Sequence, residues 1–290
     1  MSLFDAFRYD GKRALVVGGA TGMGRAAAEL LLDAGAEVVV MDYAPVDLEG
    51  ATGIHVNLSD KASIDAAIDE CGGPVHAVLS CAGVDQDTPN IEKINFIGHR
   101  HLIERLVAEG TLVRGGAIAM ISSAAGLGWE SNLDRNLEYL ATPDFESAVA
   151  WVAENGGADY MSTKQAICTY VASSAHRLLA QGIRINAIAP GPTDTPLAQA
   201  NPEQWLGFGS DYRADVGVDA SSALEQANAL VFLCSDAARA LSGITIVTDM
   251  GYFASGVTGT WPDATPTVNF LLGRFGRSRV RGQAPPDPEK

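Results

Sequence analysis

Cysteine is scarce in this sequence, and its placement excludes more than its number does. The 290 residues contain four, Cys71, Cys81, Cys168 and Cys234, and no two form a CxxC pair. That argues against a structural zinc site and a disulfide framework, and it fits a reducing compartment. Most of the four have apolar neighbours, as buried thiols do. Long apolar runs are also missing, since none approaches the roughly 18 residues a membrane span needs. Residues 1–10 mix Phe, Asp and Arg and hold no signal-peptide core, so a cytoplasmic location is expected. Positive charge is short: 20 Lys and Arg face 35 Asp and Glu, a net charge of −15. Nucleic acid and anionic membranes are therefore poor partners. The tail is an exception, with Arg274, Arg277, Arg279 and Arg281 close together. Pro285, Pro286 and Pro288 follow, and the tail reads as a solvated, flexible end. His99 and His101 lie two apart, do not share a helix face, and give no metal site.

What is present is core material. Hydrophobic residues make up 47% and charged residues 19%, which suits one large α/β domain. Continuous apolar runs occur at 14–17, 37–41, 54–56, 75–80, 117–121, 183–188 and 244–247. Helical patterns separate them, for example at 24–34, 91–108, 160–180 and 221–235. Strands of this kind belong to a sheet covered on both faces. The alternation predicts a single-domain Rossmann-type doubly wound fold with a seven-stranded parallel sheet. That domain is expected over 1–261, with 262–290 as a partly flexible C-terminal extension.

Two stretches break the rhythm. The first, about 127–155, carries Leu133, Leu137 and Leu140 at helical spacing. A second short helix is predicted there, with Thr142 as N-cap, Pro143 as first helical residue, and Phe145, Val149 and Val152 on one side. The second stretch, about 190–220, is rich in Pro, Gly, Asn and Asp, yet holds Leu197, Trp205, Leu206 and Phe208. Long ordered loops of this kind commonly cover a site.

The first strand runs into Gly18-Gly19-Ala20-Thr21-Gly22-Met23-Gly24. Such a turn lets the backbone approach a pyrophosphate, and the following helix start offers free N–H groups and a positive dipole end. The second strand ends at Asp42, whose carboxylate suits the two adenosine ribose hydroxyls and repels a 2′-phosphate. No Lys or Arg neighbours it, and Thr21 is uncharged. The expected cofactor is NAD rather than NADP.

These residues, in this order, resemble the short-chain dehydrogenase/reductase family. Gly18-x-x-x-Gly22-x-Gly24 is similar to its glycine motif. Cys81-Ala82-Gly83 resembles the end of its Asn-Asn-Ala-Gly motif, and Asn95 falls where the family keeps a catalytic Asn. Ser123 closes Ile-Ser-Ser after the fifth strand, with Ser122 as rival for the same role. Tyr160-Met-Ser-Thr-Lys164 matches YxxxK, and Pro190-Gly191 with Thr195 resembles the loop at the nicotinamide end. The likeness spans roughly residues 10–255. It implies a cofactor lying along Gly18, Thr21, Gly22, Met23 and Gly24, beside Asp42 and Tyr43, past Asn57 and Leu58, over Cys81, Ala82 and Gly83, and ending at Pro190, Gly191, Thr193 and Thr195. Departures are Val17 for a Thr, Ser80 and Cys81 for the two Asn, and Asn57 for an Asp. The interval from Ser123 to Tyr160, 37 positions, exceeds the family's usual one. An insertion there resembles the bacterial 3α-hydroxysteroid dehydrogenase/carbonyl reductase subgroup.

The chemistry can be read from side chains. A free phenol, with pKa near 10, is a poor base at neutral pH. Lys164 follows Tyr160 by one helical turn, and its ammonium together with an oxidised nicotinamide favours the phenolate. By resemblance Lys164 also binds the nicotinamide ribose, and Asn95 holds a water that relays the proton outward. Ser123 donates to the substrate oxygen. The expected activity is NAD-dependent interconversion of a secondary alcohol and a ketone. The substrate is expected to be a bulky, apolar, steroid-like or terpenoid molecule held by Ser123, Tyr160, Trp129, Leu197 and Trp205, with Phe208 and Met161 near. The resemblance implies a homodimer or homotetramer, the insertion preceding the helix used for tetramer packing. Two other readings are a non-catalytic NAD-binding regulatory protein, and a sugar-nucleotide epimerase. The intact Ser123, Tyr160 and Lys164 argue against the first. The glycine spacing, and the lack of a larger C-terminal substrate region, argue against the second.

Overall fold

The computed structural model describes residues 4–274. Arg277, Arg279, Arg281 and the three prolines of the tail lie outside the described residues. In chain order the first half contains β1 (Arg13–Val17), α1 (Gly22–Asp33), β2 (Glu37–Asp42), β3 (Ala51–His55), α2 (Lys61–Cys71), β4 (Val75–Ser80), α3 (Gly98–Ala108) and β5 (Leu112–Ile121). Then come α4 (Leu133–Leu140), α5 (Phe145–Glu154), α6 (Tyr160–Ala180), β6 (Arg184–Pro190), β7 (Thr193–Asp194), α7 (Pro196–Ala200), α8 (Pro202–Trp205) and α9 (Ser210–Val216). The chain continues through β8 (Ser221–Ser222), α10 (Ala223–Cys234), β9 (Thr245–Thr248), α11 (Tyr252–Thr258) and α12 (Thr265–Leu271).

Seven strands form one parallel sheet in the order β3-β2-β1-β4-β5-β6-β9, and β7 pairs with β8 apart from it. The expected doubly wound fold is the one observed. Alternation along each strand explains the two cores. Leu15, Val17, Val39 and Met41 face one side and pack with Ile64, Leu102, Leu106, Ile167 and Val171 of α2, α3 and α6. Ala14, Val16, Val38 and Val40 face the other and pack with Ala27, Leu31, Leu230 and Leu233 of α1 and α10. The strand order reverses direction between β1 and β4, and their C-terminal ends open a crevice there.

The 127–155 segment lies over α3 and α6. Asn136 donates to Thr169 Oγ1 at 3.0 Å and Asn132 to Gln165 Oε1 at 2.8 Å. Tyr139 stacks on Trp151 at 5.0 Å and meets Phe96 at 5.4 Å. The leucine stripe does not make this contact. Asn136 and Tyr139 turn inward, leaving Leu133 and Leu137 37% and 41% exposed. The predicted cap also shifts. Asp144, not Thr142, caps α5, accepting from Ser147 N at 2.8 Å. The Thr142 hydroxyl is engaged elsewhere, donating to Tyr139 O at 2.7 Å and accepting from Arg100 at 2.9 Å. Residue 261 marks no break among the described residues. Ala264 and Val268 pack with Tyr212 and Tyr252 in a small core of their own, and Ser131 donates to Leu272 O at 3.0 Å.

Candidate active site

Two adjoining cavities occupy the crevice, of about 520 Å³ and about 470 Å³, and they share Met23, Cys81, Gly83, Val84, Thr195 and Leu197. The first is built by the glycine turn. Gly18 has φ +86, and a Cβ on it would lie 2.3 Å from Ala82 N; a Cβ on Gly24 would lie 2.0 Å from Gly18 O. Only glycine permits that closeness. Thr21 is the N-cap of α1 but its side chain makes no capping bond. The helix start therefore keeps its backbone donors for whatever fills the cavity, and it suits a pyrophosphate.

Asp42 stands at the far wall and accepts from Ala20 N and Ala44 N, each at 2.9 Å. Tyr43 beside it is 72% exposed, its ring 5.4 Å from His55. Asn57 accepts from the N–H and the hydroxyl of Ser59 at 3.0 and 2.8 Å, and Leu58 follows it on the wall. No Lys or Arg among the described residues lines this cavity. Val17 O receives both Cys81 N and Ala82 N at 2.8 Å, which fixes the 81–83 turn against β1.

The second cavity holds the reactive side chains. Asp159 caps α6 through a reciprocal pair with Ser162, at 2.6 and 2.9 Å, so that Tyr160 opens the helix and Lys164 follows one turn later. The Gln86 side chain accepts from Tyr160 N at 2.5 Å. Lys164 Nζ donates to Ile121 O at 3.1 Å and lies 5.4 Å from the centre of the Tyr160 ring. Ser123 lines the cavity with Tyr160, and its hydroxyl accepts from Ala125 N at 3.2 Å. Ser122 donates to Lys164 O at 2.9 Å and contacts Cys168, so its hydroxyl is committed to packing; the geometry favours Ser123 over its neighbour.

Burial pulls the Lys164 ammonium down to about 8 and pushes the Tyr160 phenol up to about 12, although the Ser123 hydroxyl nearby opposes the latter. The expected acidification of Tyr160 joins Lys164 with an oxidised nicotinamide, and burial of the phenol acts against it.

Pro190, Gly191 and Thr193 line this second cavity and Thr195 lines both. Thr193 donates to Gly191 O at 3.0 Å, and Thr195 caps α7 by accepting from Ala198 N at 3.2 Å. Leu197, Trp205, Phe208 and Met161 form the apolar wall. Trp129 does not belong to it. Gly128, at φ +77, presses its segment onto the Leu271 carbonyl, and Leu271 from α12 lines the cavity instead.

Asn95 is buried within a π-helical turn, Lys93–Ile97, preceding α3. Its side chain accepts from Val84 N at 2.8 Å and donates to Val84 O at 3.0 Å. That amide clamps the loop beside the second cavity, using one acceptor site and one donor of its side chain. Sequence reading missed Gln86, Asp159 and Leu271 on this wall, since no motif marks them. His101 pairs with Asp65 at 2.8 Å, His99 is buried between Ser80 and Ala82, and no metal-holding cluster occurs among the described residues. No helix among the described residues is long and apolar enough to cross a membrane.

Known proteins agree with this architecture. A family model described as short chain dehydrogenase matches residues 12–133, and one described as Enoyl-(Acyl carrier protein) reductase matches 144–253. The gap between them falls within the inserted segment. Coniferyl-alcohol dehydrogenase of Pseudomonas sp. (strain HR199 / DSM 7063) is 26% identical over 83% of this chain and 96% of its own. The 3-alpha-hydroxysteroid dehydrogenase/carbonyl reductase of Comamonas testosteroni is 29% identical over 82% of this chain and 95% of its own. Among solved structures, a 3-alpha-hydroxysteroid dehydrogenase from Pseudomonas sp. B-0831 complexed with NADH superposes with a TM-score of 0.69. It is 25% identical over 86% of this chain and 99% of that one. Sheet order, glycine turn and the Ser123–Tyr160–Lys164 cavity thus coincide with two family matches, and the chain belongs to the short-chain dehydrogenase/reductase family of oxidoreductases.

Proposed function

We propose that the protein interconverts a secondary alcohol and its ketone with NAD, acting on a bulky, apolar, cyclic substrate. The observation that carries this reading is the convergence of Ser123, Tyr160 and Lys164 on one cavity whose remaining wall is apolar. A nicotinamide bound there supplies the hydride acceptor for oxidation and the hydride donor for reduction. Ser123 holds the substrate oxygen beside the Tyr160 hydroxyl. Tyr160 takes the alcohol proton during oxidation and returns one to the carbonyl oxygen during reduction. Lys164, kept dry and positive, stabilises the phenolate when a second positive charge adds to its own.

Asp42 and the lack of cationic residues around it support NAD over its 2′-phosphorylated counterpart. Met161, Leu197, Trp205, Phe208 and Leu271 favour an apolar ring system, and the names of the relatives, an aromatic alcohol in one case and a hydroxysteroid in the others, agree with it.

Tyr160→Phe tests the mechanism. Turnover of cyclic secondary alcohols with NAD should fall by about 10²- to 10⁴-fold while NADH binding, read by fluorescence titration, stays close to wild type. Undiminished turnover in that variant would remove Tyr160 from the chemistry. Because oxidation needs the phenolate, the oxidation rate should climb with pH and the reduction rate should fall over the same range.

A further inference from the structure

Beneath the loop that joins the two cavities lies a histidine that the reaction does not use. His99, on the first turn of α3, is 2% exposed. Its Nε2 is 3.0 Å from Ala82 O. A carbonyl oxygen only accepts, so Nε2 carries the proton and Nδ1 is bare. The Ser80 hydroxyl donates to that bare nitrogen. Burial pulls the imidazole down to about 4, so the neutral ring and its single tautomer persist across physiological pH.

One turn earlier, Asn95 takes Val84 N–H and gives an N–H to Val84 O. Two side chains of one helix thus grip the same loop from below, at residues 82 and 84. From above, the loop is met by the glycine turn: Val17 O receives Cys81 N and Ala82 N, and Gly18 approaches Ala82 too closely for any Cβ. Ala82 and Gly83 form the wall of the first cavity, and Gly83 also reaches the second. Ser80 stands where the chain departs from the first Asn of the Asn-Asn pair, and its hydroxyl supplies the donor to His99.

We propose that His99 is a positioning residue for the nicotinamide dinucleotide. The chain Ser80 hydroxyl to His99 to Ala82 carbonyl sets the depth of the Ala82–Gly83 peptide in the cavity wall. An apolar side chain at position 99 would fill the volume but strand the Ala82 carbonyl. The carbonyl would then turn toward the only polar surroundings within reach, the cavity itself, and intrude where the dinucleotide lies. The inference rests on the reading that this crevice takes a nicotinamide dinucleotide.

The test is NADH titration by fluorescence on wild type, His99→Leu, His99→Gln and Ser80→Ala, with thermal unfolding and steady-state kinetics alongside. His99→Leu should weaken NADH roughly tenfold and raise the KM for NAD, with a far smaller change in kcat at saturating cofactor. His99→Gln keeps a donor near Ala82 O and should recover most of the affinity. Ser80→Ala should fall between. A merely structural residue would lower the unfolding temperature and leave affinity unchanged well below it. NADH affinity of His99→Leu within about twofold of wild type overturns the proposal, as does an equal loss in the Leu and Gln variants. If His99→Leu does not fold, Ser80→Ala decides, and unchanged affinity there overturns it. Wild-type protein that binds no NADH would instead defeat the cofactor assignment beneath it.

Discussion

Trp205 meets Tyr160 edge-on, with ring centroids 5.1 Å apart and planes inclined by 71°. The contact joins the short helix α8 to the first residue of α6, so the wall of the substrate cavity touches the proton-transfer group itself. Arg213 secures the neighbouring segment, donating to Phe208 O at 2.7 Å and also to Leu206 O. Trp205→Ala should therefore remove an aromatic face without unfolding the loop. Efficiency with bulky cyclic alcohols should drop roughly tenfold, mostly in KM, while short aliphatic alcohols change little. A side-by-side comparison of kcat/KM for the two substrate sets reads this out, and an equal loss in both would dismiss Trp205 as a selector.

Lys164 gives a pH-dependent prediction. Its folded-state pKa, about 8, lies below that of an exposed lysine. Between these values the unfolded chain binds a proton that the folded chain does not, so this group's contribution to stability rises with pH across that window and is lost as pH falls through about 8. At neutral pH the cofactor-free protein carries a buried ammonium at a cost of about 3 kcal/mol. Lys164→Met should abolish activity yet unfold at higher denaturant near pH 7, and its advantage over wild type should shrink toward pH 10. A stability difference that is constant with pH would contradict this account.

Much of the fold was legible because its signals are local. Continuous apolar runs announced the seven strands, although β3 starts three residues before its expected run and is mostly exposed, and α6 was bounded correctly because an unbroken helical pattern runs its length. The glycine turn and YxxxK helix were readable for the same reason. What escaped depends on distance in sequence. Leu271 reaches the cavity only because α12 folds back onto Gly128. Leu133 and Leu137 looked like a packing stripe, but hydrogen bonds from Asn132 and Asn136 to α6 decide which face turns inward. Asn95 was found at its position, but the partner that occupies its amide, Val84, could not be read from any pattern.

Asp42 should govern the choice of cofactor. Its carboxylate is fixed by Ala20 N and Ala44 N, and no cation among the described residues lines the cavity to receive an added phosphate. Removing the charge by Asp42→Asn should lower the NAD-to-NADP ratio of kcat/KM by about tenfold or more, chiefly by weakening NAD binding. NADP should gain little, because nothing positive replaces the lost repulsion. A wild-type enzyme that already favours NADP would sink this assignment.

Gly18 and Gly115 separate two costs that usually arrive together. Both have left-handed backbones, with φ of +86 and +90. Around Gly115 nothing lies within 4 Å of the point a Cβ would occupy, whereas at Gly18 that carbon would sit 2.3 Å from Ala82 N. Alanine at 115 should cost about 1 kcal/mol, the conformational penalty alone. Alanine at 18 adds an overlap with rigid backbone, about 1–3 kcal/mol more, and forces Ala82 away from its place on the cavity wall. Denaturant unfolding should rank the two variants in that order, and only Gly18→Ala should also weaken NADH. Equal destabilisation, with NADH binding intact in both, would mean that the close approach of Gly18 to Ala82 does not shape the crevice.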